Sequence, residues 1–159
     1  MKSCIVLYDR VNLLSFAKIY DFFTKNKLDF EVVSLSEVVL DERGFELRAE
    51  RHSESLYAYD IVAIPSGVGA LNLRYDDIFL SWIKSGLEAN LKIGLDLGIL
   101  LFAGAGFLDG GKATIRGGYK NALSEFCQYS SEDFCEYGRV LSMTDTKTSW
   151  AYLESKING

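Results

Sequence analysis

The chain has 159 residues, 48% of them hydrophobic, with 22 acidic against 17 basic side chains and a formal net charge of -5. That length and apolar content suit one domain with a substantial core and leave too little for two ordinary ones, so a single domain over residues 1–159 is expected. The acidic balance offers no basic stripe to meet a phosphate backbone, which argues against nucleic-acid binding.

The first apolar run, SCIVLY from Ser3 to Tyr8, is followed at once by the charge of Asp9. It has strand length and is too brief for a signal peptide's apolar segment or a membrane span, so a soluble, cytoplasmic protein without a membrane role is expected. NLLSFAKIYDFFTKN then places Phe16, Ile19, Tyr20 and Phe23 at helical spacing behind an Asn12 cap. DFEVVSLS restores a β-branched run, and RGFELRAERHS alternates like a strand or hairpin with Gly44 at its turn. The mixed charges of DERGFELRAER read as a solvated edge that discourages strand pairing.

YDIVAIPSGVG is a buried strand ending in the only proline, Pro65, and a glycine loop. From Tyr75 to Ser85, the side chains of Ile78, Phe79, Trp82 and Ile83 form a helical stripe, with Gly86 as a left-handed stop. LKIGL is the next strand. LGILLFAGAG is apolar on all sides, which predicts a helix sandwiched inside the fold with Gly106 near its end. KATIRGG, a mixed aromatic segment from Tyr119 to Tyr137, the strand GRVLSMT and the helix TSWAYLESKI complete the chain.

Apolar strands alternating with helices across short loops imply a largely parallel sheet covered on both faces. The expected fold is α/β, a flavodoxin-like three-layer sandwich with a strand-to-helix elbow. In such sheets ligands bind outside the carboxyl ends of the strands, where both glycine loops and Asp96 fall. Asp96 is the anomaly: a charge set between a buried strand and a buried helix, at the turn where several hydrolase folds expose a nucleophile.

The remaining reactive residues say less. Cys4, Cys127 and Cys135 form neither an even framework nor a CxxC motif, and read as free thiols. Asp and Glu between Cys127 and Cys135 oppose thiolate formation there. One histidine, His52, in a polar segment, argues against a zinc site, and no metal or cofactor is expected. GVGALN has two glycines of a dinucleotide fingerprint, but Asn72 stands where the third belongs, so a plain turn or oxyanion loop is the better reading. The aromatic residues Tyr119, Phe126, Tyr129 and Tyr137 read as core and dimer contacts.

YDRVNLLSFAKIYDFF, DIVAIPSGVGALNL, IGLDLGILLFAGAGFLDGGKATI and LSMTDTKTSWAYLESKI fall in the order and spacing of the ThiJ/PfpI family, within the class I glutamine-amidotransferase-like superfamily. The resemblance spans nearly the whole chain, and AGAGFLDGGKAT is its most specific part. It implies a flavodoxin-like, usually dimeric protein whose family members carry a cysteine on a nucleophile elbow. The matching position here is Asp96, in a Cys-x-Gly pattern kept as Asp96, Leu97 and Gly98. Arg116 matches a histidine of many relatives, Ser15 an acidic residue, and Pro65, Ser66 and Gly67 a Pro-Gly-Gly oxyanion loop.

Every reactive position thus departs from the family pattern, and none of the cysteines sits at a matching one. A carboxylate is a far weaker nucleophile than a thiolate and lacks its redox ladder. The resemblance therefore implies loss of cysteine-dependent chemistry and a small-molecule binding or regulatory role at the former elbow pocket.

Four roles for Asp96 follow. It pairs with Arg116 in a structural charge pair; or it mimics an oxidised cysteine, held by the Leu97 and Gly67 amides; or it is a general acid or base with Ser15 and Arg116 as orienting groups; or it is a covalent nucleophile. The expected site is Asp96, Arg116 and Ser15, with Ser66, Gly67, Leu97 and Gly98 binding a small anionic metabolite in a homodimer. The alternative is a hydrolase or lyase acting on a small anionic substrate through Asp96.

Overall fold

The computed structural model describes residues 1–159. β1 (Lys2–Leu7) runs through the middle of the molecule and delivers the chain to α1 (Leu13–Lys25). Asn12 caps that helix as expected, its side-chain oxygen accepting from the Ser15 amide at 2.9 Å. Ile19 and Phe23 are buried on its inner face, each contributing about 1.5–3 kcal/mol by burial. Tyr20 stays at the exposed margin of the stripe, its ring edge-on to Phe30.

β2 (Asp29–Ser34) follows, and β3 (Val38–Leu40) pairs antiparallel with β4 (Glu46–Arg48) in the hairpin that turns through Gly44. β5 (Arg51–His52) is a two-residue edge strand on β2, so His52 sits exposed at the sheet margin and not in the hairpin. β6 (Ile61–Ile64) leads into the glycine loop, the one-turn helix α2 (Ala70–Leu73) and α3 (Asp77–Lys84). The helical stripe is Phe79, Leu80, Trp82 and Ile83; Ile78 points outward and is exposed. Gly86 is not left-handed. The chain leaves α3 through right-handed turns at Ser85 and Gly86, so no reversal of handedness is needed.

β7 (Leu91–Leu95) ends in a tight 3₁₀ turn over Asp96–Gly98, and α4 (Ile99–Gly104) begins directly behind it. Residues 99–103 of α4 are all buried, as an all-round apolar helix requires. β8 (Lys112–Thr114), α5 (Lys120–Ser124) and β9 (Gln128–Ser130) form a small lobe in which β8 and β9 pair parallel. β10 (Phe134–Tyr137), β11 (Val140–Met143) and α6 (Lys147–Asn158) close the fold.

The main sheet has seven strands in the order β10-β11-β7-β6-β1-β2-β5, parallel throughout except at β10–β11. Period-two alternation divides the core: Val62 and Ile64 face a cluster of 30 buried residues packed with α3 and α4, while Ile61 and Ala63 face a cluster of 11 packed with α1 and α6. This is the α/β flavodoxin-like sandwich. Strand order reverses between β1 and β6, and the crevice at such a reversal is where an open α/β sheet leaves room for a ligand. No helix is long and apolar enough to cross a membrane.

Candidate functional site

The carboxyl ends of β1, β6, β7 and β11 converge on one cavity of about 180 Å³. Each strand supplies part of its wall: Asn12 and Ser15 after β1, Ser66 after β6, Asp96 after β7 and Asp145 after β11. Arg116 enters from the loop after β8, and Lys18 from the second turn of α1. Ser15, Ser66, Asp96 and Arg116 were legible in the sequence. Lys18 and Asp145 were not, and they meet across 127 positions of sequence in an ion pair.

Asp96 has φ 49°, in the left-handed region that a side chain with a Cβ adopts at a cost of about 1–2 kcal/mol. The turn is nonetheless required. Gly98, two residues on, lies so close under the β6 loop that a Cβ would stand 2.3 Å from the Ile64 oxygen and 2.6 Å from the Pro65 oxygen. Only a glycine there lets the elbow dock, so Gly98 serves packing and does not line the cavity. Gly67 is similar: a Cβ would stand 2.6 Å from the Val11 Cα. Ser66 lines the cavity, whereas Gly67, Leu97 and Gly98 are not among its lining residues.

The carboxylate of Asp96 is buried, with 6% of its side chain exposed, and its Oδ2 accepts from Arg116 Nη2 at 3.1 Å. Its Oδ1 has no hydrogen-bond partner. The structure does not hold Asp96 in backbone amides. The Leu97 amide donates to Ser66 Oγ at 3.2 Å. Behind it, the Ser66 amide donates to Ser15 Oγ at 2.8 Å, and Glu42 accepts from Asn12 Nδ2 and from the Val68 amide. The two serine hydroxyls both act as acceptors here, which leaves their O–H groups as donors for a further partner.

Asp145 adds the second carboxylate. Burial acts to raise it, but hydrogen bonds from Lys18 and Trp150, with the charges of Lys18 and Arg116, outweigh that and hold it below the usual carboxylate range. The cavity therefore carries two anions and two cations, with Asp96 tethering Arg116 at its rim. The Arg116 side chain is 56% exposed, and one of its five N–H donors is used on Asp96.

No thiol reaches this cavity. Cys4 is buried in β1, where burial drives its thiol pKa far up, and Cys127 is pushed up to about 11 by burial. Cys127 and Cys135 are unpaired. Tyr119, Phe126 and Tyr129 pack partly buried against the larger core cluster, which accounts for most of the aromatic segment. No group of three or more His, Cys, Asp or Glu side chains is arranged to hold a metal ion.

Asp96 is thus a buried, left-handed acidic residue on a strand-to-helix elbow of a flavodoxin-like sheet, after the strand that neighbours β6. No family model and no curated protein matches the sequence itself. Solved structures do. The DJ-1/ThiJ/PfpI-like and ferritin-like two-domain protein of Anabaena variabilis aligns over 99% of this chain with a TM-score of 0.83 and 16% identity. The present chain spans 48% of that protein's length. The putative protease I of Bacteroides thetaiotaomicron aligns over 99% of this chain and 97% of its own, with a TM-score of 0.81 and 18% identity. A DJ-1 superfamily protein of Salmonella typhimurium, in a cysteine-to-alanine variant, aligns over 99% and 90%, with a TM-score of 0.82 and 18% identity. The fold is that of the ThiJ/PfpI/DJ-1 proteins.

Proposed function

We propose that the chain is a catalytically diverged, non-catalytic ThiJ/PfpI-like protein that binds a small anion at the elbow pocket in a regulatory role. The observation that carries this is Arg116: half-exposed at the cavity rim, fixed from below by Asp96, with most of its donors uncommitted. A guanidinium held at one edge presents its remaining N–H groups as a fork suited to a carboxylate or phosphate. The hydroxyls of Ser15 and Ser66 and the ammonium of Lys18 supply the further donors. Asp96 is then a positioning residue for Arg116, and Ser66 substitutes for the anion over the Leu97 amide.

The chain acts in this reading as one cytoplasmic domain and as a homodimer. The dimer surface we assign is the groove between α1 and the β3–β4 hairpin, lined by Leu13, Leu14 and Phe45, all exposed. It carries both signs of charge in Arg43 and Glu42, which a twofold self-contact can pair, and Asn12 and Leu14 line both it and the elbow cavity.

The test is a thermal-shift screen with small carboxylates, sulfates and phosphates on wild type, Arg116→Gln and Asp96→Asn, because native-state ligands raise the melting temperature. Anions should stabilise the wild type, lose their effect in Arg116→Gln and lose part of it in Asp96→Asn. Glyoxalase or deglycase turnover by the pure protein, abolished in Asp96→Ala, would overturn the non-catalytic reading.

A further inference from the structure

The opposite end of the sheet holds a second cavity. Lys92, in β7 between Val62 of β6 and Val140 of β11, is 3% exposed, and no carboxylate lies within ion-pair distance of it. Its ammonium donates to the Ala89 carbonyl at 3.0 Å and stands 5.3 Å above the Phe107 ring. Arg139 lies beside it, reaches only the Glu88 carbonyl at 3.5 Å, and is likewise without a carboxylate partner. Both cations line a cavity of about 390 Å³ whose other walls include Leu87, Phe107 and Tyr137. Glu88 is the sole acidic side chain along it.

A buried cation without a counter-charge is costly, and a second, exposed cation facing the same space adds to that cost. Burial and the charge of Arg139 both lower the Lys92 pKa, and the charge of Glu88 offsets them only in part. A strand residue in a sheet covered on both faces has no need of a lysine, and the neighbouring positions of β7 are Leu91 and Ile93. We infer that this cavity is a binding site for a small organic carboxylate whose apolar body lies between Phe107 and Tyr137. The Arg139 guanidinium takes the two carboxylate oxygens, and the Lys92 ammonium supplies the charge from within. The apolar walls and the acidic Glu88 favour a monoanion with a hydrocarbon body over inorganic phosphate. The site is independent of the elbow pocket, which lies at the other end of β7.

Benzoate is the probe, with benzamide as its neutral isostere, followed by amide ¹H–¹⁵N chemical shifts. Benzoate should shift the amides of Lys92, Phe107 and Gly138 saturably, and benzamide should leave them unmoved. Arg139→Gln, at an exposed position, and Lys92→Met, which keeps the buried stem, should each weaken those shifts about tenfold or more, the loss expected for a charge-assisted contact. The inference is overturned if the shifts appear only around Ser66 and Asp96, if benzamide reproduces them, or if they survive Arg139→Gln unchanged.

Discussion

Asp96→Gly should make the protein more stable, although it deletes an ion pair. Replacing a left-handed aspartate (φ 49°) by glycine relieves about 1 kcal/mol, after allowing for the freer unfolded chain that glycine brings. The substitution also removes a buried carboxylate oxygen that has no partner, which costs the native state about 1–3 kcal/mol. Against these gains stands the contact to Arg116. That side chain is 56% exposed, so the pair contributes no more than about 1 kcal/mol. The net expectation is a gain of about 1–3 kcal/mol, seen as a higher urea midpoint at unchanged slope. Asp96→Ala keeps the strain and should fall below Asp96→Gly by about 1 kcal/mol. A loss of more than about 1 kcal/mol in Asp96→Gly would refute the reasoning. It would mean that Asp96 and Arg116 are a structural pair.

Other consequences follow from the same geometry. Ser66→Ala strands the buried Leu97 amide and should cost about 1–3 kcal/mol in urea unfolding, whether or not any anion is present. Gly98→Ala drives a Cβ into two backbone oxygens that cannot yield, and should cost about 3 kcal/mol or more, read as a fall in melting temperature or loss of soluble protein. Glu31, hydrogen-bonded by Arg51 above all, has its pKa lowered from 4.5 to about 2. A depressed carboxylate pKa contributes stability above its unfolded value and loses it as pH falls through the folded one. Urea midpoints should therefore drop between pH 4.5 and about 2, and Arg51→Ala should flatten that limb. Cys4 should resist thiol reagents at mildly alkaline pH until the protein unfolds, since its thiol is both buried and driven far above the ordinary range.

What the sequence made legible was whatever repeats with a period or sits at a chain reversal. The Asn12 cap, the Ile19–Phe23 face, the β3–β4 hairpin and the elbow at Asp96 all announce themselves within a dozen residues. The pairing of Lys18 with Asp145 does not, because it joins the helix after β1 to the loop after β11, and the two strands come to one end of the sheet only in the finished fold. Gly67 and Gly98 looked like ligand contacts since small residues near a turn serve either backbone approach or ligand approach, and local sequence cannot separate the two. In the structure both glycines make close backbone approaches, with a Cβ at either standing under 3 Å from backbone atoms. Ile78 failed for a related reason: its helical stripe is right in period, but which residues border it on the outside depends on where α4 presses.

In the proposed reading, a scaffold of the ThiJ/PfpI fold serves binding. The elbow's geometry is imposed by the fit of Gly98 beneath the β6 loop and by the close packing of Gly67 on Val11, neither of which depends on the side chain at the apex. The apex is thus free to change while the turn persists. Once a carboxylate stands there, burial demands a cation, and Arg116 satisfies one of its oxygens. Arg116 in turn stands near Asp145, whose charge Lys18 holds, so the two acids and two bases form one coupled set around a space of about 180 Å³. Such a set is close to neutral as it stands. An arriving anion adds charge beside Lys18 and draws it away from Asp145 while Asp96 keeps Arg116 in place, so anion affinity and the strength of the Lys18–Asp145 pair oppose one another. Asp145→Asn, which frees Lys18, should therefore tighten anion binding about tenfold, while Lys18→Met should weaken it by a similar factor; equal affinities in the two variants would show that the set is not coupled.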